Sequence, residues 1–172
     1  MAGRGKLQQG PAPLNPKLCP QAAPEVAFGA RLWHRLRMRD EPPVYEAETQ
    51  GVVVRVVTSY LPEHSEPPAR YVWAYMIEIE NTGLRSVQLI SRHWTITDAR
   101  GRVEEVEGPG VVGEQPVIGP GESYQYTSGC PLPTPSGSMV GTYHMQVEGG
   151  DAFEADIPAF SLDLPGDRRT VN

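Results

Sequence analysis

Tyr71-Val72-Trp73-Ala74-Tyr75-Met76-Ile77-Glu78-Ile79-Glu80 is the run whose reading decides the fold. Large apolar residues hold every odd position from 71 to 79, while the even positions end in two glutamates. Side chains of an extended strand point alternately to opposite faces, so this run buries one face and wets the end of the other. Asn81-Thr82-Gly83 then supplies turn chemistry.

The same period of two runs outward in both directions. Upstream, Val52, Val54 and Val56 share a face, with Arg55 between Val53 and Val57 on the other. Downstream, residues 86–98 change phase: Val87 and Leu89 have one parity, Trp94 and Ile96 the opposite one. A strand buried on one face keeps both sets inside only with a bulge or bend, and Ile90-Ser91-Arg92-His93 is where it must fall. Residues 102–106 read as a short acidic strand and Ser123–Ser128 as a strand with Tyr124 and Tyr126 on one face. Gly129-Cys130-Pro131-Leu132-Pro133-Thr134-Pro135 reads as a rigid loop. Met139, Tyr143, Met145 and Val147, then Phe153, Ala155 and Ile157, then Phe160, Leu162 and Leu164 complete the core. Pro, Gly and β-branched residues punctuate the body too often for a long helix. About seven short strands with regular turn signals predict an all-β, two-sheet antiparallel sandwich over 44–165.

Residues 1–43 differ in composition. The first 24 are rich in Gly, Pro, Ala and Gln, which bury too little surface to offset their ordering entropy. Residues 25–39 space Phe28, Leu32 and Leu36 four apart among arginines, the pattern of a short basic helix. A start of the natural chain at Met38 is the other reading of this head. The extension carries seven Lys/Arg against three Asp/Glu, a net +4, whereas 44–172 carries eight against eighteen, a net −10. An acidic body repels phosphate backbones, which sets nucleic acid aside as its partner. No apolar run approaches the roughly 20 residues needed to span a bilayer, so membrane insertion is not expected. Two cysteines, Cys19 and Cys130, give neither a disulfide framework nor a structural zinc site, and a cytoplasmic location is the simplest inference.

Gly108-Pro109-Gly110-Val111-Val112-Gly113 satisfies GxGxxG. In a dinucleotide site such glycines lead from a strand into a helix that receives the pyrophosphate. Here Pro116, Gly119, Pro120 and Gly121 follow within eight residues of Gly113 and forbid that helix. A weaker reading keeps Gly108, Gly110 and Gly113 as an anion-binding nest of backbone N–H groups, opposed by Glu107 and Glu114. No two of His34, His64, His93 and His144 have ligand spacing, so no metal site and no cofactor are predicted, and divalent cations on acidic loops remain only as an alternative. Cys130 with His93 or His144 as base is the one imaginable nucleophilic pair, but small buried thiols are mostly inert.

Several runs together resemble the ApaG (DUF525) family: Tyr71–Tyr75, Leu89–Trp94, Ile96–Gly101, Val106–Pro116, Tyr126–Gly137 and Ile157–Leu162. The resemblance covers about 44–165 and leaves 1–43 and the 166–172 tail outside. It implies an immunoglobulin or fibronectin type III-like sandwich. It also implies a link to cobalt resistance and magnesium efflux without an established mechanism, and a protein-binding role like that of the same domain in an F-box protein and a polymerase-delta-interacting protein. The expected function is therefore a non-enzymatic module that binds a protein partner. Its expected surfaces are the glycine loop, the Arg92/His93 bulge, and Thr127, Ser128 and Cys130. Sheet edges are the alternative, by strand addition or homodimer pairing. A small-ligand sensor of phosphate-type anions at Gly108–Gly113, or of divalent cations, is the rival class.

Overall fold

The computed structural model describes residues 42–165, so the 25–39 helix, the Met38 start, Cys19, His34 and the 166–172 tail lie outside the described residues. Nine strands follow in chain order: β1 (Val44–Thr49), β2 (Val52–Tyr60), β3 (Tyr71–Asn81), β4 (Val87–Asp98), β5 (Val103–Pro109), β6 (Val117–Ile118), β7 (Ser123–Leu132), β8 (Ser136–Val147) and β9 (Ala152–Asp163). One sheet runs β1-β2-β3-β7; the other runs β5-β4-β8-β9, with β6 also on β4. Every strand pair is antiparallel, and the expected sandwich is the fold.

Alternation dictates which side chains meet between the sheets. Trp73, Tyr75, Ile77 and Ile79 of β3 and Val52, Val54 and Val56 of β2 face Trp94, Met139, Tyr143 and Phe160 from the second sheet in one cluster. Trp94 meets Tyr75, Tyr143 and Phe160 edge-on, at centroid separations of 5.6, 6.5 and 5.9 Å. Each such side chain, fully buried, contributes about 1.5–3 kcal/mol of transfer free energy. The outer face of the first sheet is laced by polar bonds instead. Arg55 of β2 reaches Glu46 of β1 at 2.6 Å and Glu80 and Glu78 of β3 at 2.7 and 3.2 Å. Gln125 of β7 donates to Glu78 at 2.9 Å, so the lacing spans all four strands.

The phase change in β4 is a bulge at Ile90. Pairing with β8 passes from Leu89↔Met145 to Ser91↔His144, and Leu89 and Trp94 both turn inward. A second register shift lets β9 bury Ala155 and Ile157 before it and Phe160 and Leu162 after it.

Two local expectations are corrected. The expected acidic strand is longer than 102–106, since β5 runs on to Pro109. The strand beginning at Ser123 does not stop at Ser128; β7 continues through Gly129, Cys130 and Pro131 to Leu132, with Cys130 and Leu132 buried. Pro131 is tolerated because β7 is an edge strand, where a missing N–H need not break a ladder on both sides. The connector proper is 133–135, held by Thr134, which accepts from the Ala99 N–H and donates to the Ser136 carbonyl.

Candidate functional site

The glycine run lies along the β4 edge, between the stretches that pair with β5 and with β6. Two of its N–H groups, and that of Glu114 just beyond it, are spent inside the protein: Gly110 donates to the bulged Ile90 carbonyl at 2.8 Å, and Val111 and Glu114 exchange bonds of 2.8 and 2.9 Å. Between them Val112 (φ +49°) and Gly113 (φ +81°) form a two-residue turn with both central residues left-handed, the arrangement that suits a tight hairpin. Val111 is fully buried as an apolar plug. Gly110 (φ +56°) has no room for a side chain, since a Cβ there would overlap the Glu114 carbonyl oxygen. After Gly113 the chain passes through Pro116 directly into β6, with no helical turn between them.

Arg92 secures this plug. Its Nη1 donates to the Gly110 carbonyl at 2.6 Å and the Pro109 carbonyl at 3.2 Å. Gln115 adds a bond to the Ile90 carbonyl at 2.7 Å, and the Tyr124 hydroxyl donates to Glu114 at 3.0 Å. Behind the loop, the hydroxyls of Tyr126 and Tyr143 bond each other at 2.5 Å. Burial pushes both well above the ordinary tyrosine range, with Arg92 opposing. Tyr124 is raised to about 12, first by burial and then by Glu114.

On the outer face of the same sheet, four strands each contribute one polar side chain. His144 of β8 holds Glu154 of β9 at 2.6 Å, and His93 of β4 stands 3.9 Å from Glu107 of β5. Register explains the pairing, because His93 lies opposite Glu107 and His144 opposite both Glu154 and Ser91. They line an open groove of about 430 Å³ together with Ser91, Arg92 and Gly108. Exposed Glu105 and Asp156 sit one position along on the same face, opposite Thr95 and Thr142. The groove thus offers two imidazoles within an acidic frame, suited to a cationic or hydrogen-bond-donating group. Among the described residues, no three His, Cys, Asp or Glu side chains are placed to hold a metal ion.

Arg92, His93 and Gly108 of the candidate residues therefore meet at one groove. Gly110 and Gly113 belong to the plug beside it. Thr127 and Ser128 lie on β7 in the opposite sheet, and the Cys130 thiol points into the core there, paired in register with Trp73. The fold does not bring Cys130 to either His93 or His144, which face outward from the other sheet. Glu107 and Glu154 complete the groove. No local pattern marks them, since cross-strand register, not spacing, pairs them with histidines.

An ApaG-domain (DUF525) family model matches residues 62–147. Protein ApaG of Brucella anthropi is 61% identical over 130 residues, covering 75% of this chain and 100% of that protein. Protein ApaG of Mesorhizobium japonicum is 60% identical over the same shares. The crystal structure of the ApaA protein from Bordetella pertussis superimposes with a TM-score of 0.65 at 53% identity, covering 67% of this chain and 94% of that one.

Proposed function

The chain belongs to the ApaG family, and from that premise we propose that it is a non-enzymatic binding module that docks a basic segment of a protein partner in the groove between His93 and His144. The observation that carries this reading is the convergence of two cross-strand pairs, Glu107–His93 and His144–Glu154, in neighbouring rows on one face of four adjacent strands. Strands fixed by a shared core present these side chains in a set geometry, so little conformational entropy is lost on binding. The frame of Glu105, Glu107, Glu154 and Asp156 favours Lys or Arg in the partner and speeds encounter with it. Any influence on divalent-cation handling passes through that partner.

The test compares proteins captured from cell lysate by the full chain and by a Glu107→Lys/Glu154→Lys variant, followed by affinity measurement with the purified partner. The proposal expects a loss of at least tenfold for the variant and none for Thr127→Ala on the opposite sheet. Equal affinity for wild type and groove variant removes the groove from the binding surface. Calorimetry with Co²⁺, Mg²⁺ and pyrophosphate on the same protein separates the sensor reading: heats that saturate with an ion alone favour it.

A further inference from the structure

The sandwich has four edges among the described residues, one of them shared by β5 and the two-residue β6 along β4, and they differ in charge. β1 carries Glu46 and Glu48, β5 carries Glu104, Glu105 and Glu107, and β9 carries Glu154, Asp156 and Asp163. β1 and β9 also close on each other, through Tyr45 Oη to Ser161 Oγ at 2.9 Å and the Asp156 N–H to Thr49 at 3.1 Å. β7, Ser-Tyr-Gln-Tyr-Thr-Ser-Gly-Cys-Pro-Leu over ten residues, has no charged side chain at all. It pairs with β3 on one side only. Sheet edges that must stay single are guarded by charge, bulges or cover, and β7 has only Pro131 near one end.

We propose that β7 is a self-pairing edge, along which a second copy of the chain adds antiparallel about a two-fold axis through Thr127 to give a continuous eight-stranded sheet. A strand alternates its backbone groups between its two neighbours, so β7 retains a row of donors and acceptors beyond those given to β3. The charge layout selects a second copy as the occupant. With Thr127 opposite its own copy, Gln125 falls opposite the partner's Gly129 and Ser123 opposite the partner's Pro131. β3 carries Glu78 and Glu80 beside Gln125 and Ser123, but Ala74 and Val72 beside Gly129 and Pro131. The rows of Gln125 and Ser123 therefore set a carboxylate of one copy in line with small apolar residues of the other, never with another carboxylate. The central row joins Met76 and Val57 of the two copies through paired threonines, a favourable cross-strand pair. An acidic body of net −10 meets its copy along the one edge whose ten-residue strand carries no charged side chain of its own. The His93–His144 groove, on the other sheet, stays open in this dimer.

Sedimentation equilibrium of the full chain from micromolar to millimolar concentration tests this, with Thr127→Glu and, as a control on another edge, Val103→Glu. Thr127 and Val103 are both exposed, and circular dichroism and the thermal midpoint check that each variant folds. The expected result is a wild type and Val103→Glu that approach twice the monomer mass and a Thr127→Glu that stays monomeric. In a Cys19→Ser background, Thr127→Cys oxidises to a covalent dimer, because the two positions 127 face each other across the axis. A wild type monomeric throughout, or a Thr127→Glu that still doubles its mass, overturns the proposal.

Discussion

The glycine loop and the His93–His144 groove sit on one sheet, share Gly108 and Arg92 as a boundary, and have opposite designs. The loop points inward: Val111 fills the core, Arg92 holds two carbonyls, and the N–H groups of Gly110, Val111 and Glu114 are already donated. The groove points outward, with side chains from four strands and no apolar anchor among His93, Glu107, His144 and Glu154. The difference teaches that a positive-φ glycine motif records where a chain must turn, while a recognition surface comes from register across strands far apart in sequence. Substitution in the loop should therefore cost stability and substitution in the groove should cost binding.

The strongest way to break this comparison is Gly110→Ala. A Cβ there combines a left-handed φ with overlap of the Glu114 carbonyl, and chemical denaturation should read a loss of about 3 kcal/mol. Arg92→Met keeps the stem and removes both charge-assisted bonds to the loop, for a loss of about 2 kcal/mol in the same assay. Alkali tests the plug from behind. Tyr126 and Tyr143 have folded values raised above the unfolded one, so the unfolded chain gives up protons first. Stability is then full below about pH 10 and falls above it, by up to about 1.4 kcal/mol per pH unit for each buried tyrosine. Tyr124, raised to about 12, adds to the same fall, and pH-dependent denaturation midpoints would record it.

Gly113→Ala sharpens the contrast within the loop. Its φ of +81° strains any side chain, but nothing lies within 4 Å, so the expected cost is only about 1 kcal/mol. Glu107→Lys/Glu154→Lys should change stability by less than about 0.5 kcal/mol while abolishing partner binding. A groove variant that unfolds as readily as Gly110→Ala would erase the distinction between the two regions.

Much of the fold was legible because alternation is a local signal. Trp73 through Ile79 declared their face without reference to any other strand, and the parity switch between Leu89 and Trp94 located the bulge at Ile90. The Pro-rich run after Ser128 was harder: Pro131 signals a loop, and only its position on an edge makes it compatible with β7. The absence of a helix after Gly113 was readable from Pro116 and Gly119. That the loop turns inward was not, since Arg92 reaches it only through the β4–β5 pairing. The groove was half legible. His93 and Arg92 stood out at the bulge, whereas Glu107 and Glu154 became partners of histidines through register, which a single sequence does not print.

Hydrogen exchange at the Gly110 and Val111 amides, with and without millimolar pyrophosphate, tests the inward design of the glycine loop most directly. Donors already committed to Ile90 and Glu114 should exchange only through large-scale opening, at rates the anion does not alter. Fast exchange that pyrophosphate slows would mean that those N–H groups are offered to a ligand after all.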